Sequence, residues 1–489
     1  MRFLIDTNLI IKLEPITPSN VEADLGIAAD LVRLIAGSEH AFCIHPSSKL
    51  ELSRDRDEDR RGLRSNLLNK YPVLESPPEP STALLSQLGV SLENQHDYCD
   101  LQLLVAIERD AVDFLVTEDK GIHRWARRLD LEDRVLDIGG AVGVLQSFLD
   151  IKVPPEPHVN NVLCHDLNES DPIFDTLREG YDGFDSWLTR CKRESRNAWL
   201  IEGREKAHAA VAIRKTEDGT EVGLKGKVLK LSTFKVSEEH GGQKYGELLL
   251  RTVFSFATKN DYDWIYLTFY PDKADIAFFV EQFGFLPLEV RNERNELFYA
   301  KPMKPELDDV EFPNPLDFHV RYGPHILPQG TPFFLVPIQP SFFEHLFPAA
   351  PGQRSLYPTP FGNAIKKAYL CHSKTKLVEP GSILLFYQTK FAKSVLVVGV
   401  AERTKKSDDP GTILKFAGKR TVFPFSSIEK MTDGRKVLAI LFRQARILKQ
   451  PIDFRDLVEN DALKGPPQSI TQVKEEGLEW LRSEIDKRS

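Results

Sequence analysis

The first third of the chain alternates short apolar runs with stretches whose apolar residues recur every three or four positions. Apolar runs predict buried strands, and the longer spacing predicts amphipathic helices. The strands are predicted at 3–5, 41–45 and 112–116, and the helices at 23–35, around Glu51 and at 97–108. Alternating strands and helices favour a parallel sheet with helices on both faces. We therefore assign residues 1–148 to one α/β unit.

A different pattern begins after 151–158, a stretch that holds three prolines and is typical of a linker. Strands are predicted at 198–201, 208–213, 228–236 and 264–269, and helices at 246–259 and 275–283. We assign this α+β unit to residues 160–303. A second stretch rich in proline and acidic residues follows at 301–315.

The last third consists mainly of short apolar runs between turn signals. They lie at 333–336, 382–387, 395–401 and 437–441. Short strands with few helices favour a small β-barrel, which we assign to residues 325–455. The apolar spacing over 469–485 predicts an amphipathic helix within a C-terminal segment, 465–489. The fold class is therefore multidomain α/β.

Composition agrees with a chain of several domains. A length of 489 residues exceeds what one core supports and suggests about three domains. The five cysteines are dispersed without a Cys-x-x-Cys pair, which is typical of a reduced, cytoplasmic protein. We expect no membrane span and no signal peptide. A net charge of −8 argues against a uniformly basic nucleic-acid-binding surface, but it allows a local basic groove.

Four acidic residues near the N-terminus each adjoin an apolar segment. Asp6 and Asp119 follow predicted strands, and Glu51 and Asp100 lie in predicted helices. Converging carboxylates repel one another, so they are usually gathered around a divalent ion. Oxygen ligands suit Mg²⁺ or Mn²⁺, and such sites commonly hydrolyse phosphodiesters. The alternative is that these acids only cap helices or lie in solvated turns.

Residues 1–148 resemble the PIN nuclease domain. The resemblance rests on Asp6-Thr7-Asn8, Glu51, Asp100 and Thr117-Glu118-Asp119. It implies an α/β/α sandwich that cuts RNA. Asp6, Glu51, Asp100 and Asp119 would bind the metal, and Asp97 would be a further ligand or hold a water molecule. Asn8 and Thr117 would orient the carboxylates. A homodimer and a silencing antitoxin are partners known for such proteins.

The segment from Val236 to Leu250 reads as a strand, a glycine-containing turn and a helix. Free backbone N–H groups at a helix start suit an anion such as pyrophosphate. With Gly284-Phe285 downstream, residues 160–303 resemble the GNAT acetyltransferase fold. The resemblance implies that acetyl-CoA binds the turn and that its acetyl group passes directly to an amine. The cofactor-binding residues would be Val236, Gly241, Gly242, Gln243, Lys244, Tyr245 and Gly246.

This segment departs from the family pattern in two ways. The family usually has glycine where Lys244 stands, and arginine or glutamine where Gly241 stands. Many members carry a tyrosine acid where this chain has Val280, so the leaving group would take its proton from Tyr270 or water. Glu238 or Glu239 would be the base, unless both are simply solvated.

Residues 325–455 resemble the ASCH group of PUA-like barrels. The resemblance rests on Val336-Pro337-Ile338-Gln339-Pro340, on 380–387 and on 397–402. It implies RNA or nucleotide binding. Phosphate contacts would come from basic residues in this region: Lys366, Lys367, Lys374, Lys376, Arg403, Lys405 and Lys406. A purely structural barrel with a solvated lysine surface is the alternative.

Three functions follow from these units. The first is a toxin-like, two-metal endoribonuclease coupled to an N-acetyltransferase that acts on RNA, such as tRNA, or senses it. The second is an acetyltransferase of an RNA-linked or protein amine, in which the other units hold RNA. The third is a regulator that senses acetyl-CoA without turnover.

Overall fold

The structure is a computed structural model. It describes residues 1–7, 9, 25–36, 40–52, 62, 68, 71–90, 95–148, 158–203, 206–305, 314–326, 330–348, 350, 362, 364–390 and 392–488, with backbone alone at 25–29, 36, 50–52, 95 and 274. The chain divides into two compact units. The first is Met1–Ile151, Gly241–Gln243 and Asp409–Thr432, and the second is Lys152–His240, Lys244–Asp408 and Asp433–Ser489.

The strands are numbered in chain order. They are β1 (Arg2–Ile5), β2 (Ala41–Cys43), β3 (Phe114–Val116), β4 (Val135–Leu136), β5 (Val159–Leu163), β6 (Asn197–Glu202), β7 (His208–Glu217), β8 (Val228–Val236), β9 (Trp264–Phe269), β10 (Leu286–Pro287), β11 (Leu297–Pro302), β12 (Phe333–Ile338), β13 (Lys366–Cys371), β14 (Ile383–Gln388), β15 (Ser394–Ser407), β16 (Val437–Asp453) and β17 (Thr471–Gln472).

The helices are numbered in the same way. They are α1 (Leu25–Ala36), α2 (Pro46–Leu52), α3 (Thr82–Leu88), α4 (Gln95–Glu108), α5 (Lys120–Arg128), α6 (Ile138–Phe148), α7 (Asp175–Gly180), α8 (Phe184–Arg193), α9 (Tyr245–Lys259), α10 (Ala274–Glu281), α11 (Pro315–Tyr322), α12 (Pro340–Leu346), α13 (Pro410–Ala417), α14 (Phe425–Thr432), α15 (Phe454–Glu459) and α16 (Glu475–Arg488). None of these described helices is long and apolar enough to cross a membrane.

The first unit contains a parallel sheet in the order β2-β1-β3-β4. The rings of Phe42, Phe3 and Phe114 stack across three of its strands, with centroids 5.1 and 5.2 Å apart. Helix α4 covers the sheet with Leu101 and Leu104, which are fully buried. The parallel sheet predicted from the alternating pattern is confirmed.

The second unit contains a seven-stranded sheet in the order β10-β11-β9-β8-β7-β6-β5. Its neighbouring strands are antiparallel except β8 and β9, which are parallel. Helix α9 packs on this sheet because its apolar residues recur at helical spacing, with Leu249, Val253 and Ala257 fully buried.

The same unit contains a six-stranded sheet in the order β13-β16-β15-β14-β12-β17. Strands β15 and β16 pair along most of their length, and their register shifts at three places, as β-bulges produce. The bulges bend these two strands. Strands β13 and β17 nevertheless remain separate edges, so the described sheet is open. The predicted barrel is therefore not confirmed.

Candidate functional site

The parallel strands β8 and β9 separate halfway along their length. They are paired from Val228 with Trp264 to Leu231 with Leu267, and β8 continues to Val236 paired only with β7. Since both strands run in the same direction, the gap opens at their carboxyl ends. Backbone groups on the β9 side of this part of β8 can therefore bind an extended ligand.

The helix α9 begins close beyond the end of β8. The intervening segment contains a short 3-10 turn, Glu238–His240, and Lys244 is the N-cap residue. None of the described side chains caps this helix start. Its N–H groups and the positive end of the helix dipole suit an anion. This segment joins the end of β8 to the start of α9.

The predicted cofactor residues fall into two groups. Val236, Lys244, Tyr245 and Gly246 belong to the second unit, at the end of β8 and the start of α9. Gly241, Gly242 and Gln243 cluster with the first unit. Gly242 has a φ of +73°, which glycine adopts without steric cost.

Lys244, which departs from the pattern of the resembled family, has a left-handed backbone conformation. Its φ is +63°, a conformation that costs an L-residue other than glycine about 1–2 kcal/mol. This explains why the related family favours glycine at that position. The side chain of Lys244 forms an ion pair with the first turn of the helix: its Nζ lies 3.2 Å from Glu247 Oε1.

Gly246 lies against the aromatic side chain of Phe279 on α10. A Cβ at Gly246 would lie 3.0 Å from Phe279 Cζ. The ring of Phe279 also stacks on Phe234 of β8, with centroids 6.1 Å apart. Phe279 thus links the start of α9 to the part of β8 that has left β9, and only a small residue at 246 allows this packing.

A second set of side chains lies around the end of β9. Tyr270 follows β9 directly, and its ring stacks on Tyr181 with centroids 4.6 Å apart. Glu296 precedes β11, is 9% exposed, and accepts a hydrogen bond of 2.5 Å from Asn292 Nδ2. Burial raises the pKa of Tyr181 to about 12, and the charge of Glu296 adds to this effect. Sequence reasoning missed Tyr181 and Glu296, since neither belongs to a local motif.

The structure shows the surroundings of the residues considered as proton donors and acceptors. Val280 is fully buried in the core and offers no acid. Glu238 and Glu239 are exposed on the short turn, which agrees with the solvated alternative. Tyr270, which directly follows β9, and water stay the two predicted proton donors.

The predicted carboxylates of the first unit are only partly brought together. Asp6 follows β1, is 2% exposed, and accepts a 2.6 Å hydrogen bond at Oδ2 from Thr117 Oγ1. Asp119 N donates to the same Thr117 hydroxyl at 2.9 Å, and Asp119 Oδ1 caps α5 by accepting from Ile122 N. Thr117 is therefore hydrogen-bonded to Asp6, and Asp119 caps a helix, as the alternative interpretation has it.

Asp100 and Asp97 both lie on α4. Asp100 is nearly buried, with Oδ2 3.5 Å from His96 Nδ1, and Asp97 is half-buried. Asn8 and the side chain of Glu51 lie outside the described residues. Among the described side chains, no three acidic, histidine or cysteine residues are placed to hold a metal ion. The described donors alone therefore do not fit a metal site.

One of the lysines predicted to contact RNA is in the core. Lys367 is fully buried, and its Nζ donates to the carbonyl oxygens of Leu346, at 2.6 Å, and Gly362, at 2.5 Å. Its neighbour Lys366 donates to Gln282 Oε1 at 2.9 Å. The prediction of a phosphate contact by Lys367 is wrong, because four successive residues of β13, Lys367 among them, are buried and its ammonium group is already bonded to two carbonyl oxygens.

Comparison with known proteins identifies one domain. Residues 161–285 match the acetyltransferase (GNAT) family, so the chain contains a GNAT acetyltransferase domain there. No curated protein matches the chain. Gly241–Gln243 and the separated strands fall within the matched range.

Solved structures resemble parts of the chain. ASCH from Zymomonas mobilis is 20% identical, with a TM-score of 0.25, covering 31% of this chain and 94% of that one. A GNAT acetyltransferase from Staphylococcus aureus Mu50 is 15% identical, with a TM-score of 0.25, covering 30% and 100%. A GNAT acetyltransferase from Elizabethkingia anophelis with acetyl-CoA bound is 13% identical, with a TM-score of 0.22, covering 29% and 96%.

Proposed function

We propose that the second unit is an acetyl-CoA-dependent N-acetyltransferase. The observation that carries the proposal is the separation of β8 from β9 next to the uncapped start of α9, inside the range that matches the GNAT family. The extended arm of acetyl-CoA would lie along the free side of β8. Its pyrophosphate would lie at the helix start, with Lys244 adding positive charge. Bound acetyl-CoA supplies the thioester whose acetyl group is transferred.

The acceptor amine would enter at the end of β9. The stacked rings of Tyr181 and Tyr270 offer a π-face, and Glu296 offers a negative charge next to it. Both features favour a protonated amine. Glu296 would take the proton that the amine must lose before it attacks, and the Tyr270 hydroxyl would donate a proton to the leaving thiolate. A cationic amine, on a protein or on an RNA-linked group, is the substrate class that follows.

The test measures thiol release from acetyl-CoA in the presence of a panel of amines. General acid or base catalysis contributes about 10²–10⁴-fold, so we expect Glu296→Gln and Tyr270→Phe each to lower kcat/KM by about 10²-fold. Glu293→Gln is the matched control, because Glu293 is exposed in the same turn. Acetyl-CoA binding without thiol release for any amine would instead support the CoA-sensing regulator.

A second function, RNA hydrolysis by the first unit, rests on a separate observation. Asp6 is a buried carboxylate at the carboxyl edge of a parallel sheet. It accepts a hydrogen bond from the Thr117 hydroxyl, which in turn accepts one from the backbone N–H of Asp119. Burying a carboxylate costs free energy unless it is paired or hydrogen-bonded, and Thr117 supplies such a hydrogen bond. Mg²⁺ or Mn²⁺ remains a prediction of the PIN resemblance, as do the RNA, the homodimer and the antitoxin.

The nuclease is tested with the full chain on mixed tRNA and mRNA, with Mn²⁺ or Mg²⁺ and with EDTA as the metal-free control. We expect cleavage that is lost in Asp6→Asn and kept in Asp30→Asn, a control whose side chain is exposed and paired with Arg33. Cleavage that survives Asp6→Asn, or that persists in EDTA, would contradict the assignment.

A further inference from the structure

A large cavity lies inside the second unit, away from the gap between β8 and β9. Its volume is about 1360 Å³, which exceeds the volume of a typical small-molecule site, about 300–1,000 Å³. Its walls come from α9, β6, β11, α11, β16 and α16. None of the described lining residues belongs to β8, to β9 or to the turn before α9. The cavity is therefore distinct from the proposed acetyl-CoA site.

The lining of the cavity is strongly basic. Seven of the described lining residues are lysine or arginine, and Asp486 is the one acidic residue among them. Two of the arginines are anchored by acids: Arg443 Nε lies 2.6 Å from Glu402 Oε1, and Arg446 Nη1 lies 2.5 Å from Asp486 Oδ1. Arg251 faces the cavity from α9. Positive charge in a concave site favours an anionic ligand.

The titratable groups in the walls show where the charge resides. Burial lowers the pKa of Lys301 well below its ordinary value, and Arg443 and Arg321 lower it further. Burial also lowers the pKa of His325 to about 4, with Arg446 adding to the effect. These groups are driven toward their neutral forms. The arginines are held by neighbouring groups: Arg443 donates through Nε to Glu402 and through Nη1 to the carbonyl oxygen of Gln282, and Arg446 donates through Nη1 to Asp486. A guanidinium group has five N–H donors, so a phosphate can be a further acceptor.

The remaining lining is aromatic and amide in character. Trp199, Phe256 and Phe283 contribute to the walls. Gln444 is 6% exposed, and its Oε1 has no hydrogen-bond partner among the described residues. A ligand with an N–H or O–H group would satisfy this buried amide. A nucleotide combines a phosphate, a flat ring and N–H donors. These groups suit the arginines, the aromatic wall and the buried amide, respectively.

We propose that this cavity binds a nucleoside phosphate, with its phosphate held by Arg251, Arg443 and Arg446 and its nucleoside against the wall that carries Gln444. The inference does not depend on acetyl transfer. The bound nucleotide would contact α9 between Leu248 and Lys259. The N-terminus of the same helix is part of the proposed acetyl-CoA site.

The experiment is calorimetric titration of the full chain with AMP, ADP and inorganic pyrophosphate, in the presence of saturating acetyl-CoA. Saturation keeps the nucleotide from occupying the acyl-CoA site. We expect binding of AMP or ADP, weakened about tenfold or more by Arg251→Gln, as loss of a charge-assisted contact requires. Arg455→Gln is the matched control, since this arginine is highly exposed on α15, outside the cavity lining. It should bind normally.

Two further variants make the outcome decisive. Gln444→Met should weaken ADP binding and leave pyrophosphate binding unchanged. Ser255→Trp, which fills the cavity from α9 without removing a charge, should abolish both. The inference is overturned if nucleotides do not bind, if Arg251→Gln binds them normally, if pyrophosphate binds as tightly as ADP, or if only an RNA oligonucleotide binds. Failure of acetyl-CoA to bind would contradict the proposed acetyltransferase and leave this inference standing.

Discussion

Replacement of Glu247 by glutamine tests how the start of α9 is held. Glu247 is the third residue of this helix and is 6% exposed. Its Oε2 accepts hydrogen bonds from Ile365 N, at 2.8 Å, and Lys366 N, at 3.2 Å. Burial tends to raise the pKa of this carboxyl, but Lys244 and the two N–H groups outweigh burial, and the pKa is lowered. Glu247 is therefore ionised in the folded protein at neutral pH.

The expected loss of stability follows from the two hydrogen bonds. Bonds to a charged group contribute about 1.5–3 kcal/mol each, and neutral ones about 0.5–1.5 kcal/mol. Glutamine keeps an acceptor oxygen but loses the charge, so Glu247→Gln should cost about 2–3 kcal/mol. The pair with Lys244 is partly exposed and adds less than about 1 kcal/mol. Glu247→Ala should cost more, about 4 kcal/mol, because two N–H groups lose their partner.

The assay is hydrogen exchange at the amides of Ile365 and Lys366, because exchange at these two amides reports directly on the hydrogen bonds to Glu247. A cost of 2–3 kcal/mol corresponds to exchange faster by about 10²-fold where these amides exchange by local opening. Glu476→Gln, an exposed acid in the first turn of α16, is the control. A lowered pKa stabilises the fold above the ordinary value of 4.5, and this stabilisation is lost as the pH falls. Unchanged exchange at pH 7, or an equal effect at pH 7 and pH 3, would refute this reasoning.

Substitutions at three other positions test separate features. Lys244→Gly should change the thermal stability by less than about 1 kcal/mol, since relief of the left-handed strain offsets the lost ion pair. Lys244→Val should cost about 2 kcal/mol, and equal melting points for the glycine and valine variants would contradict this. Arg420→Gln should cost about 3–5 kcal/mol in thermal unfolding, because it leaves Asp133 buried without its 2.8 Å partner; an unchanged melting point would be inconsistent with a buried pair. Tyr266→Phe should cost about 1–2 kcal/mol in urea unfolding through its 2.6 Å bond to Glu217. Burial and Glu217 raise the pKa of Tyr266, so this cost should persist to pH 10 and shrink only at higher pH; a loss of the difference by pH 9 would argue against it.

The sequence predicts those parts of the molecule that depend on local pattern. Phe3 and Phe114 lie in apolar runs, so strands β1 and β3 and their buried faces follow directly. The resemblance to the PIN domain, rather than the strand pattern, indicated that Thr117 orients a carboxylate; in the structure Asp6 and Thr117 both follow parallel strands and meet at one edge. The irregular residue Lys244 could be recognised in the turn, although its left-handed backbone became evident only in the structure.

The sequence does not predict contacts made between distant segments. The charge of Glu296 acts on Tyr181, more than a hundred residues earlier, and nothing near either residue indicates the other. Lys367 was expected at the surface because lysine usually is, yet carbonyl oxygens satisfy its ammonium group in the core. The open form of the last sheet was not predictable either: short apolar runs favoured a barrel, but the edges β13 and β17 depend on how the strands pair rather than on composition.

Contacts between distant segments also determine how much of the chain is needed to test acetyl transfer. The family match ends at residue 285, and the sequence places the domain boundary at 303. Glu247, however, takes two backbone donors from Ile365 and Lys366, which lie beyond both limits. A fragment of residues 160–303 would leave this carboxylate without those donors, close to the helix start where a pyrophosphate would bind. Its negative charge would then weaken acetyl-CoA binding, so an inactive fragment would say little about the full chain.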